Sequence, residues 1–248
     1  MKALITGGSS GIGRDMAIYL SKLGYNVILV SKDENKLKSV SKSIKGSSYY
    51  VCDISSKEEC IRLYNKVKNE NIELLINNAG FGKFGEFNEI NLEDELNMID
   101  VNIKGVHILT KLFLNDFIKR DSGYILNVAS SAAFEPGPLM ATYYSTKAYV
   151  LRLTTSIYEE LRRKKSNVHV SVFCPGPVRT NFNNVANVKF EIKPISSDYA
   201  AKYAIDKMFK NKLVIIPTFY MKGLVFLTRL TPTKLLARIA YNIQNKKR

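Results

Sequence analysis

The chain has 248 residues, 46% of them hydrophobic, and a formal charge of +15. That length suits one large α/β domain with a core big enough to fold without disulfides or metal, which excludes a disordered or disulfide-stapled chain. The charge does not mark a nucleic-acid binder, because the lysines are spread along the chain among Glu, Asp and Asn and no recognition motif accompanies them.

The first apolar run, Ala3–Thr6, predicts a strand almost at Met1, so no secretory leader is expected and the protein is expected in the cytoplasm. Further strands are predicted at Asn26–Ser31, Ser48–Cys52, Leu74–Asn77, Gly123–Ala129, Val168–Phe173 and Leu213–Ile216. Helix-period segments of crossover length separate the first six. One of them is expected as a single helix over Leu92–Arg120 and another over Ala141–Lys164. Alternating β and α units predict a doubly wound, mostly parallel sheet with helices on both faces. From Phe219 to Ile243 apolar residues alternate with Lys and Arg, which predicts two short amphipathic helices. Residues 1–217 read as the catalytic domain and 218–248 as its helical extension. The apolar faces of that extension must meet the domain, a partner subunit or a membrane interface, and packing is favoured over the membrane.

Cys52, Cys60 and Cys174 form no C-x-x-C pair, and His107 and His169 lack a second ligand at metal spacing, so no metal is expected. The first strand runs into Thr6-Gly7-Gly8-Ser9-Ser10-Gly11-Ile12-Gly13, followed by a helix over Arg14–Leu23. A glycine turn there sets backbone N–H groups and the positive helix end against a phosphate. Side chains at Gly11 and Gly13 would keep pyrophosphate and strand apart. The second strand ends in Ser31-Lys32, where folds that prefer NAD carry a carboxylate for the ribose 2′-hydroxyl. Lys32, together with Arg14, would instead attract a 2′-phosphate, so NADP(H) is expected over NAD(H). The competing reading makes Lys32 an exposed lysine and Asp33 a helix cap.

The ordered set of motifs resembles the short-chain dehydrogenase/reductase family. Thr6-Gly7-x-x-x-Gly11-x-Gly13 is similar to its glycine motif, Cys52-Asp53-Ile54 to its adenine segment, and Asn77-Asn78-Ala79-Gly80 to the motif ending the fourth strand. Asn102, Ser130, Tyr143 and Lys147 match its catalytic tetrad, and Pro175-Gly176-Pro177-Val178-Arg179-Thr180 its nicotinamide segment. The stretch Asn77–Thr146 looks closest to a bacterial branch whose natural substrates are mostly undefined. The resemblance implies a single Rossmann-like domain with a seven-stranded sheet in the order 3-2-1-4-5-6-7, forming a homodimer or homotetramer. It implies cofactor contacts from Gly7, Ser9, Ser10, Gly11, Ile12, Gly13, Ser31, Lys32, Asp53, Ile54, Asn78, Ala79, Gly80, Tyr143, Lys147, Pro175, Gly176, Val178 and Thr180.

Tyr143 is then the general acid for carbonyl reduction and the general base for alcohol oxidation. A free tyrosine titrates near ~10, too high for efficient exchange near neutral pH. Lys147, one helical turn later on the same face, lowers that value as a neighbouring cation. Ser130 donates to the substrate oxygen, and the family spacing selects it over Ser131. Asn102 takes from the resemblance the role of anchoring a water chain to the lysine. Tyr144 is expected as pocket wall or packing, and Arg179 faces water. The substrate walls are expected at Phe81–Phe87, Phe134–Met140 and Asn181–Pro194. They are mostly apolar and suit an uncharged or lipophilic carbonyl or alcohol. Two alternatives share the fold: a non-catalytic NADP(H) sensor, and a membrane-peripheral reductase of a lipid-derived carbonyl.

Overall fold

Strands that are apolar at every position need cover on both faces, and the structure provides it with helices. The computed structural model describes residues 1–182, 186 and 194–246. β1 (Lys2–Thr6) pairs in parallel with β2 (Asn26–Ser31) on one side and with β4 (Leu74–Asn77) on the other. β3 (Ser47–Val51) lies beyond β2. β5 (Gly123–Val128), β6 (Val168–Phe173) and β9 (Val214–Ile215) follow beyond β4. The resulting order, β3-β2-β1-β4-β5-β6-β9, is the expected one with β9 as seventh strand, and all six pairings are parallel. A second, two-stranded sheet of β7 (Val178–Arg179) and β8 (Ile195–Ser196) was not foreseen.

Successive residues of β1 serve opposite layers. Ala3 and Ile5 pack with Met16 and Leu20 of α1 (Gly11–Lys22) and with Ala200, Ala204 and Ile205 of α7 (Ser197–Met208). Leu4 packs in the other layer with Leu63 of α3 (Lys57–Val67) and with Leu109, Phe113 and Phe117 of α5 (Val106–Lys119). α2 (Glu34–Ser43) covers the β2–β3 end and buries Leu37 in the first layer. Between β4 and β5 runs a buried polar seam. Asn77 Nδ2 donates to Thr110 Oγ1 at 3.0 Å and to Asn127 Oδ1 at 2.8 Å, and Asn127 Nδ2 donates to Thr154 Oγ1 at 2.9 Å.

The helix expected over Leu92–Arg120 is broken into three. α4 (Leu92–Ile99) passes through a π-helical turn, Asp100–Gly105, into α5. The wider turn is held by polar contacts that an uninterrupted helix would not align. Asn102 bonds both backbone groups of Phe81, and Gly105 passes so close to Ile54 that a Cβ would stand 2.5 Å from its carbonyl oxygen. α6 (Ala141–Arg163) ends one residue before its expected limit. α8 (Phe219–Leu230) and α9 (Thr233–Asn245) are the two predicted amphipathic helices. α8 buries Met221 and Val225 against Ala133, Val150 and Leu151, so the inner face of the extension meets the main body. Among the described residues no helix is long and apolar enough to cross a membrane.

Candidate active site

The carboxyl ends of β1 and β4 are tied before any ligand enters. Thr6 Oγ1 accepts from Asn78 N at 3.0 Å and Ala79 N at 3.1 Å, while Asn78 Nδ2 donates to Thr6 O at 3.1 Å. Gly7 and Gly11 take φ of +65° and +52°, values that side chains disfavour. A Cβ on Gly13 would stand 2.4 Å from Gly7 O, so only glycine lets α1 start this close to β1. The first turn of α1 therefore presents its free N–H groups beside Ser9, Ser10, Gly11 and Ile12. Ser9 Oγ donates to Ser31 Oγ at 3.0 Å, which fixes the corner where β2 ends. Lys32 stands exposed beyond it. Asp33 caps α2, its Oδ1 accepting from Lys36 N at 3.0 Å and its Oδ2 pairing with Lys36 Nζ at 2.8 Å. Arg14 is paired with Asp15 at 2.9 Å.

A second group of side chains gathers where β5 ends and α6 begins. Tyr143 and Lys147 share one face of α6 and are both buried. The Lys147 Nζ lies 5.8 Å from the Tyr143 ring centroid and donates to Val128 O at 3.1 Å. Burial pushes the Tyr143 hydroxyl up to about 12, with a hydrogen bond from Ser130 acting the other way. Burial pulls the Lys147 ammonium down to about 8. Ser130 follows β5, and its Oγ accepts from Ala132 N at 3.2 Å, so its oxygen is held at the start of a short 3-10 turn. Asn102 has no exposed surface. Its amide accepts from Phe81 N at 3.1 Å and donates to Phe81 O at 2.9 Å and to Thr146 Oγ1 at 3.1 Å. Asn102 thus stands behind the site, joined to it through the residue before Lys147.

One cavity of about 670 Å³ joins the two groups. It is lined by Gly7, Ser9, Ser10, Gly11, Ile12 and Ser31 at one end, by Asn78, Ala79 and Gly80 in the middle, and by Ser130, Tyr143 and Lys147 beyond. Pro175, Gly176, Val178 and Thr180 close the near side. Gly13, Lys32, Asp53, Ile54 and Asn102 lie outside the lining. Asp53 is half-buried and accepts from Ser55 N at 3.0 Å, and Ile54 is buried under Gly105. Arg179 is exposed, as expected.

The substrate walls differ from expectation. Of Phe81–Phe87 only Phe81 lines the cavity: Phe84 packs beside Tyr143 and Met140, and Phe87 is 67% exposed. Of Phe134–Met140 the lining takes Glu135 and Met140, because Phe134 packs behind against Val150 and Leu151. Asn181 and Phe182 line it too, whereas most of the expected Asn181–Pro194 wall lies outside the described residues. The largest unforeseen wall comes from the extension: Met221, Leu224 and Val225 of α8, and Leu236, Ile239, Ala240 and Ile243 of α9. Gln244 is buried and donates from Nε2 to the hydroxyl of Tyr144, joining α9 to the helix that carries Tyr143. Amphipathic spacing was the available signal for these walls, but it does not say what a face covers.

Residues 1–189 match the family model of the short chain dehydrogenases. An uncharacterized oxidoreductase of Staphylococcus saprophyticus is 34% identical over 216 residues, which cover 83% of this chain and 91% of that protein. A short-chain dehydrogenase from Sphingobium yanoikuyae, solved in complex with NADPH, superposes with a TM-score of 0.83 at 24% identity, over 92% of this chain and 93% of that one. One from Burkholderia phymatum, solved in complex with NAD, gives the same TM-score and identity over 91% and 92%. With the family model and the relative agreeing over most of its length, the chain belongs to the short-chain dehydrogenase family of oxidoreductases.

Proposed function

We propose that the protein is an NADP(H)-dependent oxidoreductase interconverting an uncharged or lipophilic carbonyl compound and its alcohol, with Tyr143 as general acid/base. The observation that carries this reading is the single cavity running from the α1 N-terminus to a wall of Ser130, Tyr143 and Lys147. A dinucleotide fits the glycine cradle, whose open space a Cβ at Gly11 would enter from a strained backbone. Ser9, Ser10, Gly11 and Ile12 would hold its pyrophosphate, Asn78, Ala79, Gly80 and Lys147 its nicotinamide ribose, and Pro175, Gly176, Val178 and Thr180 the ring. Asp53 and Ile54 would border the adenine. Ser31 and Lys32 would take the 2′-phosphate, and the nearest carboxylate, Asp33, does not oppose it because Lys36 and the α2 N-terminus engage it. When bound, the nicotinamide supplies or accepts the hydride at the substrate carbon.

Tyr143 passes its hydroxyl proton to the carbonyl oxygen during reduction, and Ser130 donates a second hydrogen bond as negative charge grows there. At neutral pH Tyr143 is fully protonated and ready as an acid. Acting as a base in oxidation requires nearby positive charge, and the Lys147 ammonium is the chain's own source of it. Asn102 holds the Phe81 backbone and Thr146, and so fixes the turn of α6 that carries both groups. Apolar walls from α8, α9, Phe81 and Phe182 favour an uncharged substrate.

The test is turnover of reduced cofactor against aldehydes, aliphatic and aromatic ketones, diketones and steroid ketones, with Tyr143→Phe and Lys32→Glu alongside. Turnover with NADPH that vanishes in Tyr143→Phe and shifts towards NADH in Lys32→Glu supports the reading. A preference for NADH in the unmodified protein overturns the cofactor assignment, and full activity of Tyr143→Phe overturns the acid/base assignment. Tight NADPH binding with no turnover on any member would favour a sensor.

A further inference from the structure

The extension has an outer face that the cavity does not use. Phe219, Phe226 and Leu230 recur at i, i+7 and i+11, so they form one stripe along α8, and they are 88%, 60% and 67% exposed. Gly223 lies on the same stripe, and a Cβ there would meet nothing within 4 Å. Lys222 and Arg229, seven residues apart, flank the stripe, with the Lys222 Nζ 4.6 Å from the Phe219 ring centroid. On α9, Leu235 and Tyr241 are also exposed, beside Lys234 and Arg238. From Lys207 to Arg248 the sequence has ten Lys and Arg and no Asp or Glu. The ion pairs among the described residues include none of Lys222, Arg229, Lys234, Arg238 and Lys246.

The patch continues into the cavity mouth. Leu227, Ile239 and Ile243 line the cavity and are 56%, 43% and 50% exposed. An apolar stripe edged by unpaired cations suits an interface whose interior is hydrocarbon and whose surface is negative. A second copy of the chain fits less well. An isologous contact would set this all-cationic face against itself, with no carboxylate in the segment to offset the repulsion.

We propose that the outer face of α8 and α9 docks on membranes carrying anionic headgroups and brings the cavity mouth to the lipid. Phe219, Phe226 and Leu230 enter the acyl boundary, and Lys222, Arg229, Lys234 and Arg238 meet the headgroups. Lipophilic substrates then reach Tyr143 from the bilayer rather than through water. The substrate step rests on the proposed oxidoreductase function, but the docking does not and is measured without turnover.

The experiment is co-flotation of the full-length protein with vesicles of phosphatidylcholine alone or mixed with phosphatidylglycerol, at low and high salt. The expected result is binding on the order of tenfold stronger to the anionic vesicles, weakened by salt. Lys222→Glu/Arg229→Glu and Phe219→Ser/Phe226→Ser/Leu230→Ser should each reduce that binding on the order of tenfold. None of these five residues lines the cavity, so melting temperature and turnover of a small water-soluble carbonyl should stay unchanged. Equal recovery with neutral and anionic vesicles, or undiminished binding by the serine variant, overturns the proposal. So does conversion of an oligomer to monomers by the serine variant in size-exclusion chromatography, because the face would then be a subunit contact.

Discussion

Lys147 is predicted to destabilise the protein that it serves. Its side chain is buried, and burial alone takes its ammonium from 10.5 to about 8. That fall corresponds to roughly 3 kcal/mol of unfavourable charge burial at neutral pH. Replacement by methionine keeps the apolar stem, removes the charge and loses the bond to Val128 O, which offsets about 1 kcal/mol. Lys147→Met should therefore be more stable than the parent by about 2 kcal/mol at pH 7, or about 4–8 °C in melting temperature. The pH dependence gives the sharper test. Between about 8 and 10.5 the unfolded lysine holds a proton that the folded one has lost, so the parent gains stability as pH rises through this window. The advantage of Lys147→Met should shrink across it and vanish near its top. The assay is urea unfolding of both proteins without cofactor at a series of pH values. A methionine variant that is less stable at pH 7, with no narrowing as pH rises, would refute the reasoning and mean that some group compensates the ammonium.

Asn102→Ala leaves both backbone groups of Phe81 and the Thr146 hydroxyl without this partner, and should cost about 2–4 kcal/mol in urea unfolding. Gly13→Ala forces a methyl to within 2.4 Å of Gly7 O; it should cost about 1–3 kcal/mol and weaken NADPH binding in a fluorescence titration. Gln244→Leu removes the donor to the Tyr144 hydroxyl, so KM for bulky ketones should rise several-fold while kcat for a small carbonyl holds; an unchanged KM would show that the bond does not seat α9. With Tyr143 pushed up to about 12, alcohol oxidation, which needs the deprotonated hydroxyl, should rise with pH through the alkaline range, and carbonyl reduction should not.

The strands were legible because each is a short apolar run bounded by turn residues, and their observed ends differ from the expected ones by a residue at most. The glycine turn was legible because its spacing is a backbone requirement, seen in the φ of Gly7 and Gly11 and in the contact at Gly13. The π turn was not, since the apolar period of 92–120 runs through it and the widening depends on Asn102 meeting a backbone twenty-one residues earlier. The walls were half legible. Phe84, Phe87 and Phe134 read as pocket aromatics, yet core packing or solvent took them. The two final helices showed an apolar face without showing its destination. The bond that seats α9, from Gln244 to Tyr144, joins residues a hundred positions apart, a distance over which local pattern carries no information.

The π turn also sets the phase of everything after it. Each residue of an α-helix advances the chain by about 100°, and a π turn holds one residue more than the α turn that it replaces. Deleting a single residue from Asp100–Gly105 would close that turn and rotate α5 by about 100° against α4. Phe113 and Phe117 would swing out of the core, or Asn102 would leave Phe81. At this point in the chain the count of residues therefore constrains the protein more tightly than their identity. A one-residue gap here should be far harder to tolerate than most substitutions on the exposed side of the same helix.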